Sequence, residues 1–427
     1  MAVLPNGFTG YNNVDPSFES AASSMRAAEP LTDEARRAAD EAFLAKMGPL
    51  EQRWAWMQVD LSAIRANVAE TRRFLNARCQ LMAVVKANGY GHGAVEVAKA
   101  AIGAGADQLG VATVAEGIEL REAGVTAPVV LLSQPPAASI PLLLAYHITP
   151  SVYDVDFALT YGETADVHGR EAPYHLAVNT GMNRIGVRYD DVIEFLRRVG
   201  FHRALKLEGT FTHYATADSA ESMDFDTQTR RFLEAVNDIQ AAGFDPGVVH
   251  AANSAAIYRY PEVHFGMVRL GLAMYGLHPC PETRNLVDLR PAMSVHARIV
   301  DERVVPMSEG VSYGMRYRSP GFVKICTLPI GYADGLRRSL SGVVDFIYNG
   351  RYVRQVGEIC MDHCMFEVDM RSSTRRERLD PQVGEEVLVV GAQGVAEMTL
   401  DELAEKAGTN TYEIAIGFGQ RLARIYT

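Results

Sequence analysis

Residues 82–93 read Met-Ala-Val-Val-Lys-Ala-Asn-Gly-Tyr-Gly-His-Gly, an apolar run that delivers Lys86 into a glycine-rich turn. Lysine is rarely buried unless something pairs with it or uses it. One reading of Lys86 is a strand-end amine reaching into solvent. The other is an amine held for Schiff-base chemistry, because a carbonyl cofactor needs a desolvated lysine on a rigid element.

Working outward, Trp54 to Asp60 reads as a short strand, and a helix is expected from near Ser62. A strand-and-helix alternation follows. Apolar strand cores fall at 81–86, 108–112, 128–132, 147–152, 174–179, 205–211, 248–252 and 267–271, with amphipathic stretches such as 115–123, 190–199 and 226–242 between them. Eight β/α units in series imply a (β/α)8 barrel rather than an open doubly wound sheet. No Gly-x-Gly-x-x-Gly or Walker pattern follows the first strand, which weakens dinucleotide and nucleotide readings. Lys86, Asn179, His213, Asn253, Ser254 and Arg269 lie in or just past strand ends. A barrel would gather them at its C-terminal mouth, where active sites of this fold sit.

After about residue 290 the texture changes to short alternating runs with turn signals, and Tyr348-Asn349-Gly350-Arg351 reads as a hairpin turn. The expected organisation is an N-terminal arm over 1–52 with a helix at 31–47 capped by Thr32 or Asp33, a barrel over 53–290, and a mainly β domain over 291–427. Residues 371–379 read as a charged solvated loop, 399–407 as a short helix, and the chain is expected to end in irregular structure and a last strand.

At 427 residues two domains are the default. A formal net charge of −11 argues against nucleic acid or anionic membrane as the main partner and leaves small metabolites open. Five scattered cysteines without C-x-x-C units support neither a disulfide framework nor a zinc ribbon, so a reducing cytoplasm is expected. No run approaches the roughly 20 apolar residues of a membrane span, and no secretory signal is expected.

Taken together, A-V-V-K-A-N-G-Y-G-H-G, T-G-M-N-R-I-G, F-T-H-Y-A-T-A-D, N-S-A, V-R-L-G-L-A-M-Y-G, G-V-S-Y-G, G-Y-A-D-G and G-E-I-C-M-D resemble the bacterial alanine racemase family, in its order, from about residue 54 to the C-terminus. The resemblance implies a fold-type III pyridoxal 5'-phosphate enzyme acting as a head-to-tail homodimer. Its expected activity is interconversion of L- and D-alanine, by default for cell-wall precursor supply. By the same resemblance Lys86 carries the cofactor as a Schiff base, while Tyr90, Ser254, the Gly271 amide and Tyr412 hold its phosphate. Ser254 could equally cap a helix. Arg269 is expected to face the pyridine nitrogen. An arginine is no proton source near neutral pH, so the ring becomes a weaker electron sink and side reactions such as transamination are disfavoured. His213 links Arg269 to the second catalytic residue.

Racemisation needs acid/base groups on both faces of Cα. Lys86 supplies one, and Tyr313 resembles the other, donated by the second subunit. A tyrosine of ordinary pKa, about 10, is a poor base, so a positive neighbourhood is required. The resemblance places the substrate carboxylate against Arg184, the Met361 amide and Tyr332. Asp362 reads as local support, and Cys360 with Cys364 as structural thiols rather than a metal site.

The chain departs from the family pattern at four positions. Ala177 occupies the position of an often carbamylated lysine, and Asn179 that of an aspartate, so Arg184 is expected to lean on Asn179 with water or an anion such as chloride. Glu358 replaces an arginine, and Asn410 an apolar residue, at the entrance. A more acidic, more polar entrance would admit serine or basic amino acids. A fold-type III decarboxylase competes with the racemase reading but is disfavoured by Arg269. A non-catalytic pyridoxal phosphate carrier and an inactive scaffold compete with it as well; the β domain and Tyr313 speak against the carrier, and retention of both bases against the scaffold.

Overall fold

The computed structural model describes residues 53–219, 222–370 and 379–427, together with Arg37 and Gly48. The helix expected at 31–47, apart from Arg37, and most of the loop expected at 371–379 fall outside the described residues.

All eight expected barrel strands form: β2 (Gln80–Val84), β3 (Gln108–Val111), β4 (Val129–Leu131), β5 (Ile148–Val152), β6 (Ala172–Asn179), β8 (Leu205–Phe211), β9 (Val248–His250) and β10 (Met267–Leu270), with a two-residue β7 (Val187–Arg188) beside β6. They pair in parallel in the order β2-β3-β4-β5-β6-β8-β9-β10, and β10 returns to β2 through Leu81↔Val268 and Arg269↔Met82. The ring therefore closes with no free edge. Met82, Val130 and Met267 form a separate apolar cluster from strands β2, β4 and β10, the layered filling that makes such a barrel a packed core. Helices between strands begin at polar caps, such as Asp60 before Leu61–Phe74 and Ser222 before Met223–Ala241.

The first strand belongs elsewhere. Strand β1 (Ala55–Val59), which the sequence grouped with the barrel, lies antiparallel to β11 (Met293–Arg298) and parallel to β21 (Ala423–Tyr426). The start and the end of the region from residue 53 onward thus both join the C-terminal sheet, so Ala55–Val59 belongs with that sheet and not with the barrel. The other strands of this region are β12 (Asp301–Val305), β13 (Gly310–Val311), β14 (Tyr317–Arg318), β15 (Val323–Leu328), β16 (Asp345–Tyr348), β17 (Arg351–Val356), β18 (Cys364–Asp369), β19 (Glu386–Gln393) and β20 (Ala396–Met398). They run β12-β15-β18-β17-β16-β19-β11-β1-β21, with β20 on β19 and β13 paired only with β14. The Asn-Gly hairpin joins β16 to β17 with φ of 50° at Asn349 and 72° at Gly350.

Thr399 caps the expected helix Leu400–Ala407. A second helix, Thr411–Gly417, occupies the stretch expected to be irregular, and its cap is Asn410, whose Oδ1 accepts from the Glu413 amide at 3.0 Å. Among the described residues no helix is long and apolar enough to cross a membrane.

Candidate active site

Strand β2 stops at Val84, and after Lys86 the backbone turns left-handed for five residues: φ is 52° at Ala87, 52° at Asn88, 60° at Gly89, 51° at Tyr90 and 86° at Gly91. That conformation costs an L-residue roughly 1–2 kcal/mol, so the turn must be held from outside. Backbone bonds from Gly89 to the Val85 carbonyl (2.8 Å), Gly91 to Ala87 (3.0 Å) and Gly93 to Asn88 (2.8 Å) close it. Asn88 Oδ1 accepts from the Ala94 amide at 2.9 Å. Glu116 holds it to the next strand, accepting the Ala87 amide at 2.7 Å on Oε1 and the Ala112 amide at 2.7 Å on Oε2. From the other side helix Thr411–Gly417 packs so closely that a Cβ on Gly91 would lie 2.5 Å from the Ala415 carbonyl oxygen.

Lys86, Tyr90, Arg184, His213, Ser254, Arg269, Gly271 and Tyr412 line one cavity of about 380 Å³ at the barrel mouth. Lys86 is half-buried. Desolvation lowers its pKa, Arg184 and then Arg269 push the same way, and Glu116 opposes them. At one end of the cavity Ser254 Oγ accepts from the amides of Gly271 (3.0 Å) and Ala273 (3.3 Å), and the rings of Tyr90 and Tyr412 lie 6.0 Å apart. The helix Ser254–Arg259 is capped by Asn253, which leaves the Ser254 hydroxyl to this cluster. A Cβ on Gly271 would sit 2.9 Å from Tyr90 Oη. Hydroxyls and amides converge on a space kept open by a missing side chain, a donor set that fits a phosphate group.

Arg269 is buried without a carboxylate. Its guanidinium donates to His250 Nδ1 (3.0 Å), His213 Nδ1 (3.1 Å) and the carbonyls of Thr212 and Ala251 (both 2.9 Å). Because arginine only donates, both histidines must accept at Nδ1 and carry their proton on Nε2. His250 Nε2 then donates to His175 Nδ1 at 2.9 Å. Burial, reinforced by Arg269, Arg184 and Lys86, takes His213 down to about 3, so it is neutral across the physiological range. Burial also pulls Arg269 down to about 10, still a cation near neutrality.

Three expected site residues are not in this cavity. Tyr313, Tyr332 and Met361 sit on the C-terminal domain with exposed side chains, Tyr313 at 70%. Tyr332 and Met361 are neighbours in the chain's own packing: the amides of Tyr332 and Ala333 donate to the carbonyls of Cys360 and Met361, both at 3.0 Å. Asp362, next to them, pairs with Arg421 at 2.7 Å.

Residues 59–279 match the family model for the alanine racemase N-terminal domain, and 292–426 the model for its C-terminal domain. The chain belongs to the alanine racemase family. It is 39% identical to the alanine racemase of Nostoc sp. over 87% of this chain and 95% of that one, and 40% identical to the alanine racemase of Carboxydothermus hydrogenoformans over 87% and 99%. Among solved structures, alanine racemase from Bacillus anthracis with bound L-Ala-P superposes with a TM-score of 0.82 at 36% identity, covering 88% of this chain and 95% of that one.

Two expectations about departures from the alanine racemase pattern need correction. Arg184 is exposed at the cavity wall rather than buried, and the hydrogen bonds of the Asn179 side chain go to its own loop. That side chain accepts from the amides of Gly181 (3.1 Å) and Asn183 (3.0 Å) and donates to Asn183 Oδ1 (3.0 Å). Nor does Glu358 make the surface more acidic. Its carboxylate is matched by two guanidiniums, Arg316 at 3.1 Å and Arg338 at 3.0 Å.

Sequence reasoning missed Glu116 and His250. Thr113-x-x-Glu116 is a capping-box signature and was available as a signal. His250 is the last residue of β9, the same kind of position that singled out Arg269's neighbours.

Proposed function

We infer that this chain racemises alanine with pyridoxal 5'-phosphate, in the cytoplasm, at a site completed by a second copy of itself. The supporting observation is the division of the expected groups between two places. One cavity gathers an amine of lowered pKa, a phosphate-sized cradle and a cation, while the remaining expected groups lie exposed on the other domain.

Bound pyridoxal phosphate supplies an aldehyde that captures the substrate amine and a conjugated ring that spreads negative charge from Cα. In this reading the chain's residues do the rest. Tyr90, Ser254, the Gly271 amide and Tyr412 hold the phosphate. Arg269 faces the ring nitrogen and, being a donor without a releasable proton, keeps it unprotonated. Lys86 takes or returns the Cα proton on one face, and its lowered pKa enlarges the neutral fraction able to act as base. Tyr313 of the second copy serves the opposite face, within reach of the positive field that Arg269 projects through His213. Arg184 and the Met361 amide fix the substrate carboxylate, with Tyr332 beside them.

Incubation with L-alanine in D2O tests this directly. Deuterium should enter Cα as D-alanine accumulates. Absence of Cα exchange in cofactor-loaded protein would sink the racemase reading.

A further inference from the structure

The turn that carries Tyr313 is built against backbone preference. Ser312 lies at φ 68°, ψ −173°, a region occupied almost only by glycine, and Gly314 and Met315 follow at φ of 69° and 46°. Such a conformation persists only where its surroundings over-determine it. The pairing of Gly310 with Arg318 and Val311 with Tyr317 closes the loop, the Met315 amide donates to the Ser312 carbonyl at 3.2 Å, and one residue, Glu358, adds two side-chain restraints. The Glu358 carbonyl accepts from Ser312 Oγ at 2.7 Å, and the Glu358 carboxylate binds Arg316 Nη1 at 3.1 Å. Tyr313 is therefore bracketed, one residue before and three after, by the same neighbour.

Glu358 is itself fixed. Its side chain is 11% exposed, whereas those of Arg316 and Arg338 are 78% and 61% exposed, so the carboxylate is the buried partner and the guanidiniums close over it. Arg338 Nε takes the second oxygen at 3.0 Å. Both oxygens are thus engaged, and removing the carboxylate would free two cations and one end of the turn. Three residues further on, Met361 docks against the Tyr332 turn through the Ala333 amide. The segment 358–361 consequently sets the spacing between Tyr313 and Met361.

We propose that Glu358 is the positioning residue for Tyr313, holding the strained 312–316 turn so that the phenol presents at a fixed distance from the Met361 backbone. This rests on the reading of Tyr313 as the second base. Loosening the turn misplaces the phenol, and a displacement near 1 Å costs on the order of 100-fold in rate.

Glu358→Gln and Arg316→Met, assayed as holoenzymes, test the proposal. Each should lower kcat/KM about 10- to 100-fold, equally in both directions because the equilibrium between enantiomers is unchanged. The discriminating readout is asymmetry. With Cα-deuterated substrates the isotope effect should rise for the enantiomer whose proton Tyr313 removes, and the solvent isotope effect should rise for the other, since the lysine half-reaction is untouched. Activity within about twofold of the parent, or a loss with equal isotope effects for both enantiomers, overturns it. Arg316 is exposed, so its variant decides the case alone if Glu358→Gln fails to fold. Tyr313→Phe separates the two readings: if it retains full racemisation, the base assignment fails, whatever Glu358 does.

Discussion

Arg269 donates from Nη2 to His213 Nδ1 across 3.1 Å, which fixes the histidine proton on Nε2 and leaves that proton available on the far side of the ring. The same guanidinium serves His250 and two carbonyls, four acceptors in all. Arg269→Lys offers three donors on one nitrogen and cannot satisfy that set. At least one buried acceptor is orphaned, at about 1–3 kcal/mol. A buried ammonium also sheds its proton more readily than a guanidinium. The expected outcome is a lower melting temperature together with a fall in kcat larger than any change in KM for alanine. Parent-like kcat would show that the charge and geometry of Arg269 are dispensable.

Stability should fall on the acid side. Burial pushes His92 and His175 to about 4 and His213 to about 3, and holds His250 well below its ordinary value. In the unfolded chain each protonates near 6.5. Between about pH 6.5 and pH 4 the unfolded state therefore binds more protons, and stability decreases as pH drops, by up to about 1.4 kcal/mol per pH unit per histidine. Above pH 7 both states are neutral and these groups contribute no slope. Denaturant midpoints at pH 8, 7, 6 and 5 check this. A flat profile from 7 to 5 would show that the four rings are not buried neutral.

Glu116 carries the Lys86 turn. Glu116→Ala leaves the amides of Ala87, Ala112 and Thr113 without their carboxylate, and hydrogen bonds to a charged group are worth about 1.5–3 kcal/mol. Glu116→Gln keeps a single acceptor oxygen, so it can serve either the turn or the strand end. The alanine variant should unfold at lower denaturant and bind pyridoxal phosphate more weakly, with the glutamine variant between it and the parent. Equal cofactor affinity in all three would mean the left-handed turn holds itself.

The barrel was legible because strands buried on both faces read as continuous apolar runs, and the Asn349-Gly350 hairpin because few sequences tolerate two positive φ values in a row. Strand β1 was legible as a strand but not as a member of the C-terminal sheet, since five residues carry no record of which partner they meet. Helix Thr411–Gly417 was missed because seven residues give barely two turns of periodicity; Asn410 looked like an entrance residue when it is a cap. The Glu358 charge was visible, but its neutralisation came from Arg316 and Arg338, 42 and 20 positions away, which no local pattern encodes.

That neutralisation bears on substrate range. A basic side chain gains no free carboxylate at Glu358, and Asn410 spends its side chain on the Glu413 amide. Comparison of kcat/KM for alanine, serine, lysine and arginine should favour alanine on the order of 100-fold or more. Lysine or arginine turnover close to that of alanine would show that the entrance recruits cations by another route.

The shared site has its own test, in Lys86→Ala and Tyr313→Phe. Each variant alone should be inactive or nearly so. If Lys86 works with Tyr313 of the same chain, a mixed dimer holds no complete pair and stays inactive. If the pair is formed between chains, a mixed dimer holds one site with both residues intact and one with neither. Co-expression in equal amounts makes about half the dimers mixed, so activity should recover to roughly one quarter of the parent per site. Recovery requires Lys86 and the exposed Tyr313 to meet across a two-fold interface, which the 70% exposure of that tyrosine in a single chain leaves open. No recovery in mixed dimers purified through two different tags would rule out a site shared between chains.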